Sequence, residues 1–126
     1  MKIILLILLF ILLPAYTYGQ DIPVIEAIDS PWDFGQVKKS EISEKSFFIV
    51  NKGEGTLFIQ NISSCCGYHM VDLSLWAIAP EEKSKITISC NGRLKNLGRD
   101  EKYFTIQSND PTNPELKVPV ISYIVE

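Results

Sequence analysis

The residues best suited to chemistry lie together in one short stretch that holds Cys65, Cys66, His69 and Met70. Thiolate, imidazole and thioether are soft ligands that suit Cu(I), whereas two cysteines and one histidine make a poor structural zinc site. The stretch therefore raises two related hypotheses, a Cu(I) site and a thiol-redox site. The plainer alternative is that Met70 packs in a core and that His69, the only histidine of the chain, binds nothing.

A third cysteine, Cys90, limits the disulfide chemistry, because three cysteines allow at most one bridge within a monomer. The strand pattern places Cys90 at the same pole as Cys65 and Cys66. A Cys66–Cys90 bridge would stabilise the fold by about 3 kcal/mol. Two alternatives stay open. Cys90 can be a plain buried apolar residue, and a vicinal Cys65–Cys66 disulfide would form a redox-sensitive loop.

The chain offers no catalytic constellation. Nucleophilic catalysis needs a base that activates the nucleophile and a group that orients the base. With one histidine and neither a Gly-x-Ser-x-Gly nor a Ser-x-x-Lys motif, the sequence predicts a protein that is not an enzyme and has no cofactor apart from a possible Cu(I). We expect Tyr68, Met70 and Trp76 instead to form an exposed binding patch, because aromatic patches mark partner surfaces.

The elements that carry these residues read as strands and not as helices. Apolar residues alternate along short segments, and Gly, Asn, Asp and Pro stand between them. The regular spacing of these short alternating segments predicts an all-β, immunoglobulin-like β-sandwich of about seven strands, with a further short strand or covering flap within residues 73–78. The predicted strands are 34–37, 47–53, 56–62, 83–90, 102–109 and 116–125.

Three residues predict local details of these strands. Asn51 closes a turn at the end of its strand. Ile62 is one residue out of phase with Leu57 and Ile59, which predicts a β-bulge. Pro119 lacks an N–H, which a sheet tolerates only at an edge or a bulge, and this predicts that the last strand lies at a sheet edge over part of its length.

The N-terminus reads as a secretory signal peptide. Lys2 precedes an apolar run over residues 3–13, and these 11 residues are fewer than the roughly 20 that cross a bilayer as a helix. We predict a signal peptide at 1–19, cleaved before Gln20, an N-terminal arm or first edge strand at 20–30 and the domain at 31–126. An uncleaved anchor is the alternative. The predicted location is periplasmic or extracellular, with no stable membrane insertion after cleavage.

The charge balance argues against nucleic acid as a partner. Removing Lys2 with the signal peptide leaves 12 − 1 = 11 basic residues against 15 acidic ones, a net charge of about −4. Phosphate backbones are bound by clustered Lys and Arg, which this surface lacks. The predicted partner is a protein or an envelope component.

Six motifs in order resemble a secreted bacterial domain family of unknown function that is allied to the Hydin-type (ASH) and PapD-like immunoglobulin folds. The resemblance covers residues 31–126 and implies a seven-stranded sandwich in an exported protein without demonstrated enzymatic activity. The motifs are Phe34-Gly35-Gln36-Val37, Phe47-x-Ile49-x-Asn51-x-Gly53, Leu57-x-Ile59, Cys66-Gly67, Ile78-x-Pro80-x-Glu82 and Ser108-Asn109-Asp110-Pro111.

The chain departs from this family in two places. The family usually has Ser-Cys-Gly-Cys-Thr where this chain has Cys65-Cys66-Gly67-Tyr68-His69. Tyr68 therefore stands in place of the second cysteine, and the additional Cys65 precedes the first. Glu81 stands where the family usually has Gly, which predicts a different turn geometry. The sequence thus predicts a non-enzymatic exported module that binds through its edge strands or through the pole from Cys65 to Trp76.

Overall fold

Strands make up most of residues 21–126, the part of the chain that the computed structural model describes. One 3₁₀ turn, Gly92–Leu94, follows the seventh strand, and no helix within residues 21–126 is long and apolar enough to span a bilayer. The predicted signal peptide lies outside the described residues. The nine strands are β1 Ile25–Ala27, β2 Trp32–Lys38, β3 Ile42–Asn51, β4 Leu57–Ser63, β5 Tyr68–Leu73, β6 Ala77–Ile78, β7 Lys83–Asn91, β8 Gly98–Ser108 and β9 Glu115–Val125.

The strands form two sheets. Four strands pair in the order β1-β3-β7-β5 and five in the order β2-β9-β8-β4-β6. Neighbours are antiparallel except β2 and β9, which run parallel. The chain therefore leaves the first sheet after β1 and enters the second as β2. Buried side chains from both sheets meet between them, so the predicted all-β sandwich is confirmed.

The core is built from the inward face of each strand. Trp32 of β2 and Phe47 of β3 stack across the sheets with ring centroids 5.0 Å apart, and Phe34 meets Phe47 edge-on at 5.7 Å. Except for Leu116, which is partly buried, the residues that alternation predicts to face inward on β7, β8 and β9 are buried: Ile86, Ile88, Cys90, Phe104, Ile106, Val118, Val120, Ser122 and Ile124.

The structure has nine strands where the sequence predicted about seven. β1 and β6 lie in the two segments for which a short strand was one of the predicted alternatives, and both are too short to show alternation. β5 was not predicted. β5 has an irregular register between Met70 and Asp72, which breaks its phase. β3 begins at Ile42, earlier than predicted, because exposed polar residues occupy its first half.

Two local predictions are confirmed. The register of β4 against β8 shifts between Ile59 and Asn61, as a bulge requires. β9 lies between β2 and β8, but its pairing with β2 begins only at Val120. Within the described chain, residues 115–119 of β9 thus pair with β8 alone, and Pro119 lies in this one-sided part.

The turn after β3 is built on a buried amide. The side-chain oxygen of Asn51 accepts from the backbone N–H groups of Val24 (3.2 Å) and Gly53 (2.9 Å), and its nitrogen donates to the carbonyls of Gly55 (2.7 Å) and Ile78 (2.9 Å). A Cβ on Gly53 would collide with the backbone of the N-terminal segment. The Asn-x-Gly motif therefore fastens that segment to the sandwich.

A second buried side chain, Asp110, holds β1. Its carboxylate accepts from Ile25 N (2.9 Å), Thr112 N (2.8 Å) and Asn113 N (3.1 Å). Burial raises the pKa of this carboxyl, but the three backbone donors outweigh burial, and the pKa lies below its usual range. Asp110 is therefore a structural carboxylate.

Glu81 stands where the resembling family usually has Gly, yet its backbone adopts a conformation that favours glycine, so the predicted change of turn geometry gains no support. Its φ is +66°, in the left-handed region, and its N–H donates to the carbonyl of Asn51 at 2.7 Å. Side chains other than Gly adopt this conformation at a cost of roughly 1 to 2 kcal/mol.

We expect Glu81→Gly to raise the free energy of unfolding by about 0.5 to 1 kcal/mol, since relief of the left-handed strain exceeds the added entropy of the unfolded chain. Urea unfolding followed by tryptophan fluorescence measures the change. The matched control is Glu54→Gly in an exposed turn, where φ is not positive. It should destabilise the protein. Equal effects of the two changes would contradict the prediction.

Candidate functional site

The three cysteines are divided between the surface and the core. Cys65 and Cys66 lie exposed in the turn between β4 and β5, where their sulfur atoms are bonded to each other. Cys90 is a free, buried thiol on β7, with its Sγ 3.7 Å from Ser122 Oγ. Burial raises the pKa of the Cys90 thiol. The predicted bridge from Cys90 does not form in this structure because Tyr68, not a cysteine, lies opposite Cys90 in the sheet.

Tyr68 was predicted to be a surface binding residue, and the structure corrects this. Its side chain is fully buried, its hydroxyl lies 2.7 Å from Ser122 Oγ, and burial raises its pKa. β5 turns Tyr68 toward the sandwich interior, against Phe34 and Phe104. Tyr68 therefore belongs to the core and offers no partner surface.

The remaining predicted residues do not converge on one site. His69 is exposed whereas Met70 packs partly against the core, because successive residues of a strand point to opposite faces. No group of three His, Cys, Asp or Glu side chains within residues 21–126 is placed to hold a metal ion. The Cu(I) hypothesis gains no support from this geometry.

Trp76 is the one predicted binding residue that is a large exposed side chain, at 46% exposure. Its carbonyl accepts from Ile59 N at 2.8 Å, so it lies beside β4. The six residues of β5, about 20 Å of extended chain, separate it from the cysteine turn. The predicted pole from Cys65 to Trp76 is therefore not one contiguous patch.

The structure reveals a buried lysine that sequence reasoning missed. The side chain of Lys95 is 1% exposed, and its Nζ lies 2.6 Å from Asp100 Oδ2. The same ammonium donates to the carbonyl of Cys66 at 2.8 Å and lies 3.6 Å from the centroid of the Tyr68 ring. Lys95 thus joins the cysteine turn, the 3₁₀ turn and the start of β8.

This cation determines the charge state of Asp100. Burial raises the pKa of the Asp100 carboxyl, but the hydrogen bond from Lys95, the nearby Tyr68 hydroxyl and the charges of Lys95 and Lys102 outweigh burial and lower the pKa. Sequence gives little warning of the arrangement. Lys95 stands between the exposed residues Leu94 and Leu97 in a short polar loop, where a lysine is expected to face solvent.

A further surface feature is the open edge of β3. β1 pairs only with Ile49, Val50 and Asn51, and Ile28 N then donates to the carbonyl of Phe48 at 2.9 Å. Beyond this point the first half of β3 has β7 on one side and no strand of the described chain on the other. The β3–β7 register directs odd-numbered residues of β3 toward β7. Ile42, Glu44 and Ser46 therefore present their N–H and C=O groups outward.

An open groove of about 370 Å³ runs beside this edge. Lys45 spans it, because its Nζ donates to the carbonyl of Asp33 at 2.6 Å and lies 5.6 Å from the Phe47 ring. Phe48 is 42% exposed. The groove combines apolar walls with charges of both signs; its lining is Ile28, Asp29, Pro31, Asp33, Lys45, Ser46, Phe47 and Phe48.

Comparison with known proteins identifies the kind of domain. The family model described as "Protein of unknown function (DUF1573)" matches residues 25–120. A search of curated proteins found no match.

Solved structures agree on the fold. A protein of unknown function from Porphyromonas gingivalis W83 superposes with a TM-score of 0.71 at 22% identity, over 89% of this chain and 51% of that one. The ASH/PapD-like domain of human CEP192 superposes with a TM-score of 0.60 at 15% identity, over 91% of this chain and 94% of that one. The secreted serine protease VesC from Vibrio cholerae superposes with a TM-score of 0.62 at 12% identity, over 85% of this chain and 24% of the protease. This chain thus spans about half of the first protein's length and a quarter of the protease. The immunoglobulin-like fold of the ASH and PapD-like kind is confirmed.

Proposed function

The chain belongs to the DUF1573 family of proteins of unknown function, and from that premise we propose that it is an exported, non-enzymatic module that binds an extended segment of a partner polypeptide at the open edge of β3. The observation that carries the proposal is the row of outward backbone groups on Ile42, Glu44 and Ser46. An added strand satisfies such groups by continuing the sheet, a recurring mode of peptide recognition.

The chain itself demonstrates how this edge accepts a strand. β1 pairs antiparallel with the second half of β3, and its last bond is Ile28 N to Phe48 O. A partner strand extends the same ladder from Ser46 toward Ile42. Alternate side chains of that strand then reach the groove between Pro31 and Phe48, which supplies specificity.

The charges on the edge favour a foreign strand over a second copy. Antiparallel pairing of β3 with another β3 places Glu44 against Glu44 or Lys45 against Lys45 in the two registers centred on these residues. Like charges directly opposite each other destabilise a strand pair. The occupant we propose is therefore a segment of another protein, including an envelope protein.

Two sequence features support the rest of the proposal. The predicted signal peptide at 1–19 supports export to the periplasm or the extracellular space. The single histidine, His69, supports a role in binding rather than in acid–base catalysis.

We expect Ser46→Pro to abolish strand binding, because proline removes an outward N–H without removing a bond to β7. Peptides selected from a random displayed library on the wild-type protein should bind Ser46→Pro at least about tenfold more weakly, the loss of about 1.4 kcal/mol.

The matched control is Ser46→Ala, which removes the Ser46–Thr87 hydroxyl contact at 3.0 Å but keeps the N–H, and should bind like the wild type. Thermal unfolding verifies that both variants fold. Equal binding of the selected peptides to wild type and to folded Ser46→Pro would refute the proposal.

A further inference from the structure

Strand binding at β3 leaves the exposed cysteine pair unexplained. Cys65 and Cys66 lie in a turn where Cys66 has a φ of +63° and Gly67 a φ of +92°. Both cysteine side chains are exposed, and the turn is closed by Tyr68 N donating to the Cys65 carbonyl at 3.2 Å. A reagent in solution therefore reaches both sulfur atoms without unfolding the domain.

A bond between these two cysteines contributes little to stability. Disulfides stabilise chiefly by closing loops in the unfolded chain, and a bond between adjacent residues closes a loop worth only about 1 kcal/mol. A bridge to Cys90 would have contributed about 3 kcal/mol. The sandwich is already held by its core, so the pair is suited to chemistry rather than to support.

The turn is also held independently of the sulfur–sulfur bond. The buried ammonium of Lys95 binds the carbonyl of Cys66, and Ser64 Oγ donates to the carbonyl of Tyr68 at 2.6 Å. These contacts use backbone groups that remain when the sulfur atoms are reduced.

We propose that Cys65 and Cys66 form a thiol–disulfide exchange site that is reduced by the dithiol of a partner protein and reoxidised by a partner in its disulfide form. A partner thiolate attacks one sulfur, the Cys65–Cys66 bond breaks, and the other sulfur leaves as a thiolate that takes a proton. The second partner thiol then attacks the mixed disulfide. The partner becomes a disulfide and the pair becomes two thiols, so two electrons and two protons pass to this chain.

The surroundings fit a protein as the reductant. A Cβ built on Gly67 would lie 3.5 Å from the Cβ of Leu94, so Leu94 lies beside the residue that follows the pair. Leu94 and Leu97 are 66% and 52% exposed. An apolar margin of this kind favours a protein thiol over a small hydrophilic one. β7 lies between the cysteine turn and the open edge of β3, because Tyr68 and Ser43 pair with Cys90 from opposite sides.

The test uses the mature protein purified in its oxidised form and a thioredoxin as the dithiol. Aliquots are alkylated under native conditions and weighed by mass spectrometry. We expect a change from no alkylated cysteine to two, with no singly alkylated state at equilibrium and with the thermal unfolding transition retained. Cys90→Ala, the matched control, should behave identically because Cys90 is buried.

A second measurement traps the intermediate. Cys66→Ser and Cys65→Ser each leave one exposed thiol. The reagent is a thioredoxin that retains only its attacking cysteine, supplied as an activated disulfide. Each variant should form a mixed disulfide with it. The proposal would be overturned if reduction requires denaturant or if reduction under native conditions unfolds the domain. It would also be overturned if glutathione disulfide fails to reoxidise the two free thiols. Binding of the selected peptides, which tests the β3 edge, should be the same in the oxidised and reduced protein.

Discussion

Asn51→Ala is expected to lower the free energy of unfolding by about 3 kcal/mol or more, because the amide is fully buried and serves four backbone groups. Truncation leaves the N–H groups of Val24 and Gly53 and the carbonyls of Gly55 and Ile78 without their partner. Each unsatisfied buried group costs about 1 to 3 kcal/mol, and water reaching the partly buried ones reduces the sum.

Chemical denaturation monitored by tryptophan fluorescence measures this loss. Asn113→Ala is the matched control, because the Asn113 side chain is exposed and only its backbone N–H binds Asp110. It should change stability little. If Asn51→Ala does not fold, Asn51→Asp retains the acceptor and should be partly folded. A stability of Asn51→Ala equal to that of Asn113→Ala would contradict the role assigned to the amide.

The long strands could be predicted because one face of each meets the core and the other meets solvent. Period-two alternation therefore appears directly in β7, β8 and β9. β1 and β6 are held by partners far away in the sequence, and β5 carries an irregularity. The identity of such strands depends on tertiary pairing, which local pattern does not record.

The candidate sites divide in the same way, into residues whose type suggests a role and residues whose role depends on tertiary structure. The exposed cysteine pair and Trp76 are visible in the sequence because residue type alone suggests their chemistry. Tyr68 was assigned to the surface because the phase of β5 was not known. The burial of Lys95 depends on Asp100 and on the Cys66 carbonyl, which come together only after folding. The open edge of β3 depends on where β1 leaves the sheet, a property of the topology.

The second large effect concerns the buried ion pair. Asp100→Asn is expected to lower the free energy of unfolding by about 3 kcal/mol, because it leaves the Lys95 ammonium buried without a counter-charge. The matched control is Glu101→Gln, which breaks the exposed pair with Arg99 and should change stability little. Urea unfolding at neutral pH compares both variants with the wild type.

The dependence on pH identifies the cause. The pKa of Asp100 is lowered in the folded state, so its contribution is present above the unfolded value of about 3.9 and disappears as the pH falls through the folded pKa. The difference between wild type and Asp100→Asn should therefore shrink in acid. A difference that stays constant down to the acid limit would indicate a packing effect instead of charge.

Replacing both partners separates the cost of breaking the pair from its net value. In Lys95→Met with Asp100→Asn, no buried charge remains, and a methionine of similar length fills the space beside Tyr68. We expect the double variant to recover most of the stability lost in Asp100→Asn, since an uncharged replacement of a buried pair is often neutral or stabilising. Recovery would mean that the pair is retained for the position of the cysteine turn rather than for stability. A double variant no more stable than Asp100→Asn would show that the hydrogen bond to the Cys66 carbonyl is itself the stabilising contact.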